Sequence, residues 1–110
     1  MFQLGAHRIV CGDATDPAVF ARLLEGDVPA RLVLTDEPYN VKIAWITGGA
    51  HREFAMASGE MTDAEFLAFN EAWTAAVLPY LCDGGVCGTF IDWRGYPTVF
   101  AAASKICLIP

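Results

Sequence analysis

Two short apolar runs constrain the fold of this chain more strongly than any other feature of its sequence. Residues 32–34 are all apolar within the block 30–35, and a second block covers residues 86–91. Runs that do not alternate with polar residues are typical of strands buried on both faces, as in a parallel sheet. Asp36 and Asp92 directly follow these runs, so both are predicted to lie at the carboxyl ends of strands.

Helix signals lie before and between these runs. Asp16 followed by Pro17 is an N-cap with proline at the first helical position, where the missing N–H costs nothing. We therefore predict a helix over residues 17–25 that ends at Gly26. The inner face of this helix should carry Val19, Phe20, Leu23 and Leu24.

A capping box marks the start of a longer helix. Thr62 is predicted to cap this helix and Glu65 to reach back to its N–H, while Asp63 suits the positive end of the helix dipole. The segment of residues 83–85, with two glycines, should end the helix. Apolar residues spaced by three or four form its predicted inner face: Phe66, Phe69, Trp73, Val77 and Leu81.

The order of elements predicts an α/β fold with a largely parallel sheet. A strand at residues 7–11 precedes the first helix, and a last helix should run from near Pro97 to Lys105. Residues 106–110 look like the start of a further strand. Between the strand at 30–35 and the long helix, residues 39–59 are predicted to form a loop, of a length that is usually functional or mobile.

Ligands of such sheets bind beyond the carboxyl ends of the strands. Asp13 follows the first predicted strand, as Asp36 and Asp92 follow the other two. The sequence therefore predicts that these three aspartates share one site.

Composition indicates one small folded domain. The chain has 110 residues, of which 55% are apolar and 18% charged, so it can bury a modest core and should also expose apolar surface that expects a partner. The formal net charge is −6 with seven Lys and Arg, which places any DNA-binding surface outside this sequence. Residues 72–82 form the longest apolar stretch and are too short to span a membrane. Without a signal peptide at its start, the chain is expected to be cytoplasmic.

The cysteines and histidines predict no site of their own. We interpret the cysteines as reduced, buried thiols, although the spacing of Cys82 and Cys87 is also compatible with a metal pair. The other two cysteines are Cys11 and Cys107. No nucleophile motif surrounds any cysteine, so His7 and His51 are expected to be surface or loop residues.

The segment that follows the strand at 30–35 has the chemistry to hold a planar base. Asp36 offers a carboxylate, Pro38 stiffens the chain and biases Glu37 toward extended geometry, and Tyr39 offers a flat face. A carboxylate beside an aromatic ring suits a base with an exocyclic amine, because the amine donates hydrogen bonds while the ring stacks. The alternative is an ordinary turn from a strand into a loop.

A family resemblance rests on this segment and its flanks. Residues 35–40, Thr-Asp-Glu-Pro-Tyr-Asn, resemble the catalytic Asp-Pro-Pro-Tyr motif of DNA amino-methyltransferases, which is often followed by Asn. Residues 7–16, 51–61 and 92–94 resemble the opening part of bacterial and phage adenine-type DNA methylases of the circularly permuted subclass. The resemblance covers nearly the whole chain, as the N-terminal part of such a domain.

The resemblance implies an incomplete Rossmann-like methyltransferase sheet with flanking helices, and methylation of the exocyclic amine of adenine in DNA by S-adenosylmethionine. The base would be flipped from the duplex, with Asp36 and the next backbone carbonyl accepting hydrogen bonds from its amine and Tyr39 stacking on it. No metal is needed, since positioning and electrostatics do the work. The implied residues are, for catalysis, Asp36, Glu37, Pro38 and Tyr39; for the cofactor, Asp13, Asp36 and Asn40; for the substrate, Tyr39, His51 and Arg52; with Ser58, Trp93 and Arg94 as further candidates.

The chain departs from the family pattern in two ways. Glu37 stands where the family has Pro, and a second carboxylate beside Asp36 would tend to raise the pKa of one of the pair, so we expect reduced or absent activity. The family's Phe-x-Gly-x-Gly cofactor segment, which lies downstream in this subclass, is missing; residues 84–88 have the wrong order of glycines. The strands that would lie between those before Asp13 and Asp36 are missing too, so we expect unpaired strand edges and a possible homo-oligomer.

Three hypotheses follow. The first is the catalytic part of a DNA adenine methyltransferase, acting in restriction or regulation and active only within a longer chain. The second is a catalytically inactive remnant that serves as an interaction or structural module. The third is an unrelated nucleotide-binding α/β protein.

Overall fold

The computed structural model describes residues 1–42, 51–52 and 54–106. Within these ranges the chain is a mixed α/β fold with three α-helices and two small sheets. The elements are β1 (Phe2–Leu4), β2 (His7–Ile9), α1 (Pro17–Leu23), β3 (Ala30–Thr35), α2 (Asp63–Val77), a 3-10 turn (Leu78–Tyr80), β4 (Leu81–Thr89) and α3 (Tyr96–Lys105).

Strands β3 and β4 pair in parallel, as the two apolar runs predict. The register joins Leu32 to Val86 and Thr35 to Thr89. The predicted bounds of β3 are confirmed at both ends. Because parallel strands end at the same edge of a sheet, this pairing sets the carboxyl end of β3 beside that of β4.

The first predicted strand lies in a different sheet. β2 ends at Ile9 and pairs antiparallel with β1, with Leu4 opposite His7, while the β3–β4 sheet is separate. Gly5 has a φ of 61°, the left-handed geometry that a tight hairpin turn requires. Pairing within this hairpin is local in sequence, and the prediction that residues 7–11 join the parallel sheet is wrong.

Helix α1 has the predicted start and an earlier end. The Asp16 side chain accepts a hydrogen bond of 2.9 Å from the backbone N–H of Ala18. The helix ends at Leu23, two residues before the predicted end. Arg8 explains the earlier end, because its guanidinium donates to the carbonyls of Leu23 and Glu25 at 2.5 and 3.1 Å. The same side chain pairs with Asp27 at 2.9 Å, so it fastens the hairpin to the end of α1.

The predicted capping box of α2 is confirmed. Thr62 Oγ1 accepts from the backbone N–H of Glu65 at 3.3 Å, and the Glu65 carboxylate accepts from the N–H of Thr62 at 2.8 Å. The Glu65 carboxylate also accepts from the Thr62 hydroxyl at 2.8 Å, and its hydrogen bonds from the N–H and the hydroxyl of Thr62 hold the pKa of Glu65 below its ordinary value. Phe66, Trp73 and Val77 of the predicted inner face are buried.

The end of α2 differs from the prediction. The helix stops at Val77, and Leu81, predicted on its inner face, is the first residue of β4. Pro79 explains the stop, because proline cannot donate to the helical ladder and clashes with the preceding turn. Residues 83–85 form an irregularity inside β4, where Gly84 has a φ of 73°, so β4 begins five residues before the predicted Val86.

Helix α3 matches its prediction to within one residue and packs against α2. Lys105 of α3 pairs with Glu71 of α2 at 2.5 Å. Between these helices and the sheet, Val99 and Ala102 are buried together with Trp73. Of the strand predicted at residues 106–110, Ile106 caps α3 and residues 107–110 lie outside the described residues.

A buried asparagine organises the interior of α2. Asn70 is fully buried; its Nδ2 donates to the carbonyl of Phe66 at 2.8 Å, and its Oδ1 accepts from Trp73 Nε1 at 2.9 Å. A buried indole N–H without an acceptor costs stability. Asn70 therefore orients the largest side chain of the core.

The helices cover only one face of the parallel sheet. Thr35, Cys87 and Thr89 share cavities with Trp73, which puts α2 over their side of the sheet. On the opposite side, Leu32 and Leu34 are 59% and 63% exposed. The prediction that these strands are buried on both faces is wrong, because no described element packs on the second face. Within the described ranges, no helix has the length and apolar character needed to cross a membrane.

Replacing Thr62 by alanine should lower the free energy of unfolding by about 1 kcal/mol, because the Oγ1 atom that accepts from the N–H of Glu65 is lost, while the backbone N–H of residue 62 can still donate to Glu65. Chemical denaturation followed by circular dichroism measures the difference. Ser104→Ala is the matched control: its hydroxyl bonds within a helix, to the carbonyl of Phe100, and caps nothing. An equal loss in both variants would contradict a capping role for Thr62.

Candidate functional site at the carboxyl end of the parallel sheet

The segment of residues 36–40 leaves the carboxyl end of β3 beside the end of β4. The N–H of Phe90 donates to the carbonyl of Thr35 at 2.9 Å, which extends the pairing to the last residue of β3. Asp92 follows three residues after β4. Asp36 and Asp92 therefore share one edge of the sheet, as the sequence predicts.

Tyr39 and Asp36 form the central contact of this edge. The Tyr39 hydroxyl donates to Asp36 Oδ1 at 2.6 Å. This hydrogen bond, with smaller contributions from burial and from the charges of Asp36, Glu37 and Asp92, raises the pKa of Tyr39 to about 12. Tyr39 is thus a neutral hydrogen-bond donor at physiological pH, set in an acidic surrounding.

Glu37 turns toward β4. Thr89 Oγ1 lies 2.5 and 2.6 Å from the two carboxylate oxygens of Glu37, so its single hydroxyl proton serves both. This contact joins residues 52 positions apart and ties the ends of β3 and β4 together. Burial, and then the negative charge of Glu37, raise the pKa of the Cys87 thiol. The two adjacent carboxylates therefore have different hydrogen-bond partners: Tyr39 for Asp36, and Thr89 for Glu37.

Asn40 closes the base of the loop that follows. It has a φ of 55°, in the left-handed region that asparagine tolerates. Its Oδ1 accepts from the N–H groups of Gly59 and Met61 at 3.0 and 3.2 Å, and its Nδ2 donates to the carbonyl of Met61 at 2.9 Å. The side chain predicted to bind a cofactor is thus engaged by the chain itself.

Glu60, which the sequence analysis did not single out, shapes the far end of this loop. Its carboxylate accepts from the N–H groups of Ala57 and Ser58, both at 2.6 Å. Ala57 is fully buried at a φ of 52°. The position of Glu60, two residues after Ser58, could have predicted this turn, because acidic side chains often accept hydrogen bonds from nearby backbone N–H groups.

The remaining predicted substrate contacts lie on the surface. His51 and Arg52 are both exposed. Within the described residues from 39 to 59 there is no helix or strand, as expected for a loop. Residues 43–50 and Glu53 lie outside the described residues.

Asp13 lies away from a parallel strand end. It follows the β1–β2 hairpin, so the prediction that it ends a strand of the same sheet as Asp36 is wrong. It is exposed and accepts from the N–H and hydroxyl of Thr15 at 2.8 and 2.7 Å, contacts that hold its pKa below the ordinary value. The reason for the error is that the hairpin pairs locally.

Asp92 holds Arg94 and accepts from the N–H of Gly95, the residue that precedes α3. Burial disfavours the charged form of Asp92, but hydrogen bonds from Gly95 and Arg94 outweigh it and lower the Asp92 pKa. The Arg94 guanidinium reaches Asp92 Oδ2 at 2.5 and 2.8 Å and lies 5.9 Å from the centre of the Trp93 ring. Trp93 is 82% exposed, so a cation and an aromatic face stand together at the rim of the sheet edge.

Two cavities flank the segment of residues 36–40. One, of about 270 Å³, lies beside Tyr39 and is lined by the charged side chains of Asp63 and Arg94. The other, of about 310 Å³, lies beside Asp36 and Pro38 and is mostly apolar. Each is near the lower limit of small-molecule sites. Thr35 Oγ1 at the second cavity is buried and has no hydrogen-bond partner among the described residues.

The cysteines make no metal centre in the described part of the chain. No group of three His, Cys, Asp or Glu residues there is arranged to hold a metal ion. Cys11, Cys82 and Cys87 are free thiols; Cys11 is exposed, so its predicted burial is wrong, and the other two are half-buried. Cys107 lies outside the described residues.

Comparison with known proteins found no matching family model, no matching curated protein and no matching solved structure.

The Tyr39 hydroxyl should ionise at a higher pH than that of an ordinary tyrosine. Since its pKa is raised to about 12 from an ordinary value of 10.0, the hydrogen bond to Asp36 stabilises the fold fully below pH 10.0 and is lost as the pH rises through about 12. Ultraviolet titration of the wild type minus that of Tyr39→Phe isolates this hydroxyl. Asp36→Asn should move its transition toward lower pH; an unmoved transition would argue against the contact.

Asn40 should protect the backbone of the loop base. In Asn40→Gly, which keeps the backbone geometry and removes the amide, the N–H groups of Gly59 and Met61 should exchange with solvent roughly fivefold faster or more, as expected for a lost bond worth about 1 kcal/mol. Asn40→Asp retains the accepting oxygen and should retain most of the protection. Hydrogen exchange followed by NMR measures the exchange rates in both variants. Equal rates in the two variants would contradict the protecting role of the Asn40 oxygen.

Proposed function

We propose that this chain carries the amine-orienting part of an S-adenosylmethionine-dependent DNA adenine methyltransferase, built on an incomplete Rossmann-like sheet. The supporting observation is the pair formed by Asp36 and Tyr39, 2.6 Å apart at the carboxyl end of a parallel strand. Ligands of parallel α/β sheets bind at this edge. The sequence resemblance of residues 35–40 supplies the reaction class.

The chemistry proposed for the segment is the positioning of an amine. The exocyclic amine of adenine has two N–H groups and needs two acceptors to fix its plane. The Asp36 carboxylate and the backbone carbonyl of Glu37 supply them, and the ring of Tyr39 offers a stacking face. Within the described residues, Tyr39 occupies Oδ1 of Asp36 and no hydrogen bond reaches Oδ2, so one acceptor oxygen remains for the base.

Tyr39 then has two roles in the proposal. Its hydroxyl fixes the orientation of the Asp36 carboxylate, and its ring stacks on the base. A carboxylate that is already held in place loses less conformational entropy when the base binds. Preorganised sites increase reaction rates in this way. The raised pKa of Tyr39 keeps the hydroxyl a donor throughout the physiological range.

Thr89 explains how Glu37 is tolerated at a position where the related motif has proline. Its hydroxyl binds both carboxylate oxygens of Glu37, which turns this negative charge toward β4. Asp36 is left as the acceptor that faces Tyr39. Activity is nevertheless expected to be reduced, because the backbone at residue 37 is less rigid than a proline.

The described residues do not fit S-adenosylmethionine. The polar groups of Asp13 and Asn40 are engaged by Thr15, Gly59 and Met61. Gly85 serves the packing of β4 itself, since a Cβ there would lie 2.7 Å from the side chain of Leu81. The proposal therefore assigns no cofactor contact to these residues, and the methyl donor would be held by sequence other than the described part.

Duplex DNA with a flipped adenine is the proposed substrate. With a formal net charge of −6, this chain alone offers little attraction for phosphates. A longer protein would supply the basic surface, and we expect only the base-binding step in the present chain.

A catalytically inactive interaction or structural module is the second candidate. The observation that favours it is the same lack of a cofactor cradle among the described residues, together with Glu37 in the motif. The two candidates differ in whether Asp36 and Tyr39 bind an adenine base.

Deoxyadenosine titrated into the isotope-labelled chain should shift the NMR signals of Asp36 and Tyr39. The matched control ligand is the analogue with both amine hydrogens replaced by methyl groups, which cannot donate to Asp36 and should bind more weakly. Tyr39→Ala should abolish the shifts. Shifts confined to other parts of the chain, or equal binding of both ligands, would favour the inactive module. Calorimetry with S-adenosylmethionine should show weak or no binding.

In a version of the protein extended along its own reading frame, Glu37→Pro should raise methyl transfer to DNA several-fold, because it stiffens the segment and removes a negative charge. Transfer of a labelled methyl group measures the change. Glu37→Gln is the control that removes the charge alone and should give a smaller gain. No gain in either variant would contradict the proposed effect of position 37.

A further inference from the structure

One face of the β3–β4 sheet is apolar and uncovered. We call it the open sheet face; it consists of Leu32, Leu34, Val86 and Phe90, which are 57–63% exposed. Leu32 pairs with Val86 in the register, and Leu34 leans over Gly88, whose added Cβ would meet it at 3.3 Å. Phe90 continues the alternation beyond the end of β4. The other positions on this side, Ala30 and Gly88, are also uncharged.

The molecule has more surface than a folded monomer of its size. Its accessible surface is 7577 Å² for a mass of 11.9 kDa. A typical monomer of this mass exposes about 6,000 Å². The principal extents are 42 × 35 × 19 Å, so the chain is a slab about two layers thick. The uncovered sheet face contributes to this surface, because Leu32 and Leu34 are exposed on it.

We propose that the open sheet face is the interface of a homodimer, in which two copies pack sheet to sheet about a two-fold axis. The arrangement would have four layers: helices, sheet, sheet and helices. It resembles the aligned packing of two sheets, whose inner faces lie about 10 Å apart. A two-fold axis lets the same apolar patch serve both copies. This inference does not depend on methyl transfer.

The buried area suits a second copy. If a fully exposed large side chain offers about 200 Å², the four apolar residues present on the order of 500 Å² per copy. Two copies would then bury about 1,000 Å² from these side chains alone, the size at which specific interfaces begin. Because the patch has no charged residue, it cannot form salt bridges with a basic or acidic partner. Its apolar surface is complementary to a second copy of itself.

Charge predicts how the dimer responds to salt. Each copy has a formal net charge of −6, so two copies repel at long range. At physiological ionic strength the screening length is about 8 Å, so salt weakens the repulsion between more distant charges. Salt does not weaken the apolar packing. The dimer should therefore strengthen as salt is added.

Sedimentation of the 110-residue chain over a range of micromolar concentrations tests the proposal. We expect a concentration-dependent dimer, and at least about a tenfold rise of its dissociation constant in Leu34→Glu and in Val86→Glu, since a charge buried in an interface is costly. Leu4→Glu is the matched control, because Leu4 is a strand leucine of the β1–β2 hairpin with similar exposure, 55% against 63% for Leu34. Circular dichroism is used to check that each variant is folded.

Three results would overturn the proposal. The wild type could stay monomeric at every concentration, which would leave the face to another protein or to a longer form of this chain. The dimer could persist in folded Leu34→Glu and Val86→Glu. Or Leu4→Glu could weaken it as much as they do, which would move the interface to the hairpin.

Discussion

The parallel pairing of β3 with β4 is the constraint on which the rest of this structure depends. It joins two segments separated by the whole of α2 and the preceding loop. The pairing brings the carboxyl ends of both strands to one edge, and with them Asp36, Glu37, Thr89 and Asp92. The contact of Glu37 with Thr89 is a direct consequence of that arrangement.

Local hydrogen bonds then distribute the negative charges of this edge. Asp36 is bound by the Tyr39 hydroxyl, Glu37 by that of Thr89, and Asp92 by Arg94 and the start of α3. Each of these carboxylates therefore has a donor of its own, and the donors hold the side chains in different directions. The result is an acidic edge with an oriented acceptor beside an aromatic ring, which is the basis of the proposed role in amine binding.

The same pairing leaves the fold incomplete on one side. Helices α2 and α3 bury Trp73 and Val99 against one face of the sheet, and Asn70 satisfies the indole of Trp73 there. The second face exposes Leu32, Leu34 and Val86. An α/β sheet normally carries helices on both faces. The exposed face is therefore the strongest structural reason to expect association, whatever chemistry the acidic edge performs.

The sequence by itself determined the features that depend on neighbouring residues. The start of α1 at Pro17, the capping box of Thr62 and Glu65 and the bounds of β3 all follow from short-range signals. The position of Asp36 and Tyr39 beyond a strand was predictable for the same reason. Pro79 was a local signal for the end of α2, but the helical spacing that continued to Leu81 obscured it.

Only the tertiary structure decided which strands pair and which faces are covered. An apolar run indicates a strand but does not say whether helices lie on one side or both, so the exposure of Leu34 was not predictable. The hairpin of β1 and β2 and the contact of Glu37 with Thr89 depend on chain geometry rather than on pattern. Hydrophobic periodicity encodes the tendency to be buried, while the partner that buries a face is set by packing across the whole chain.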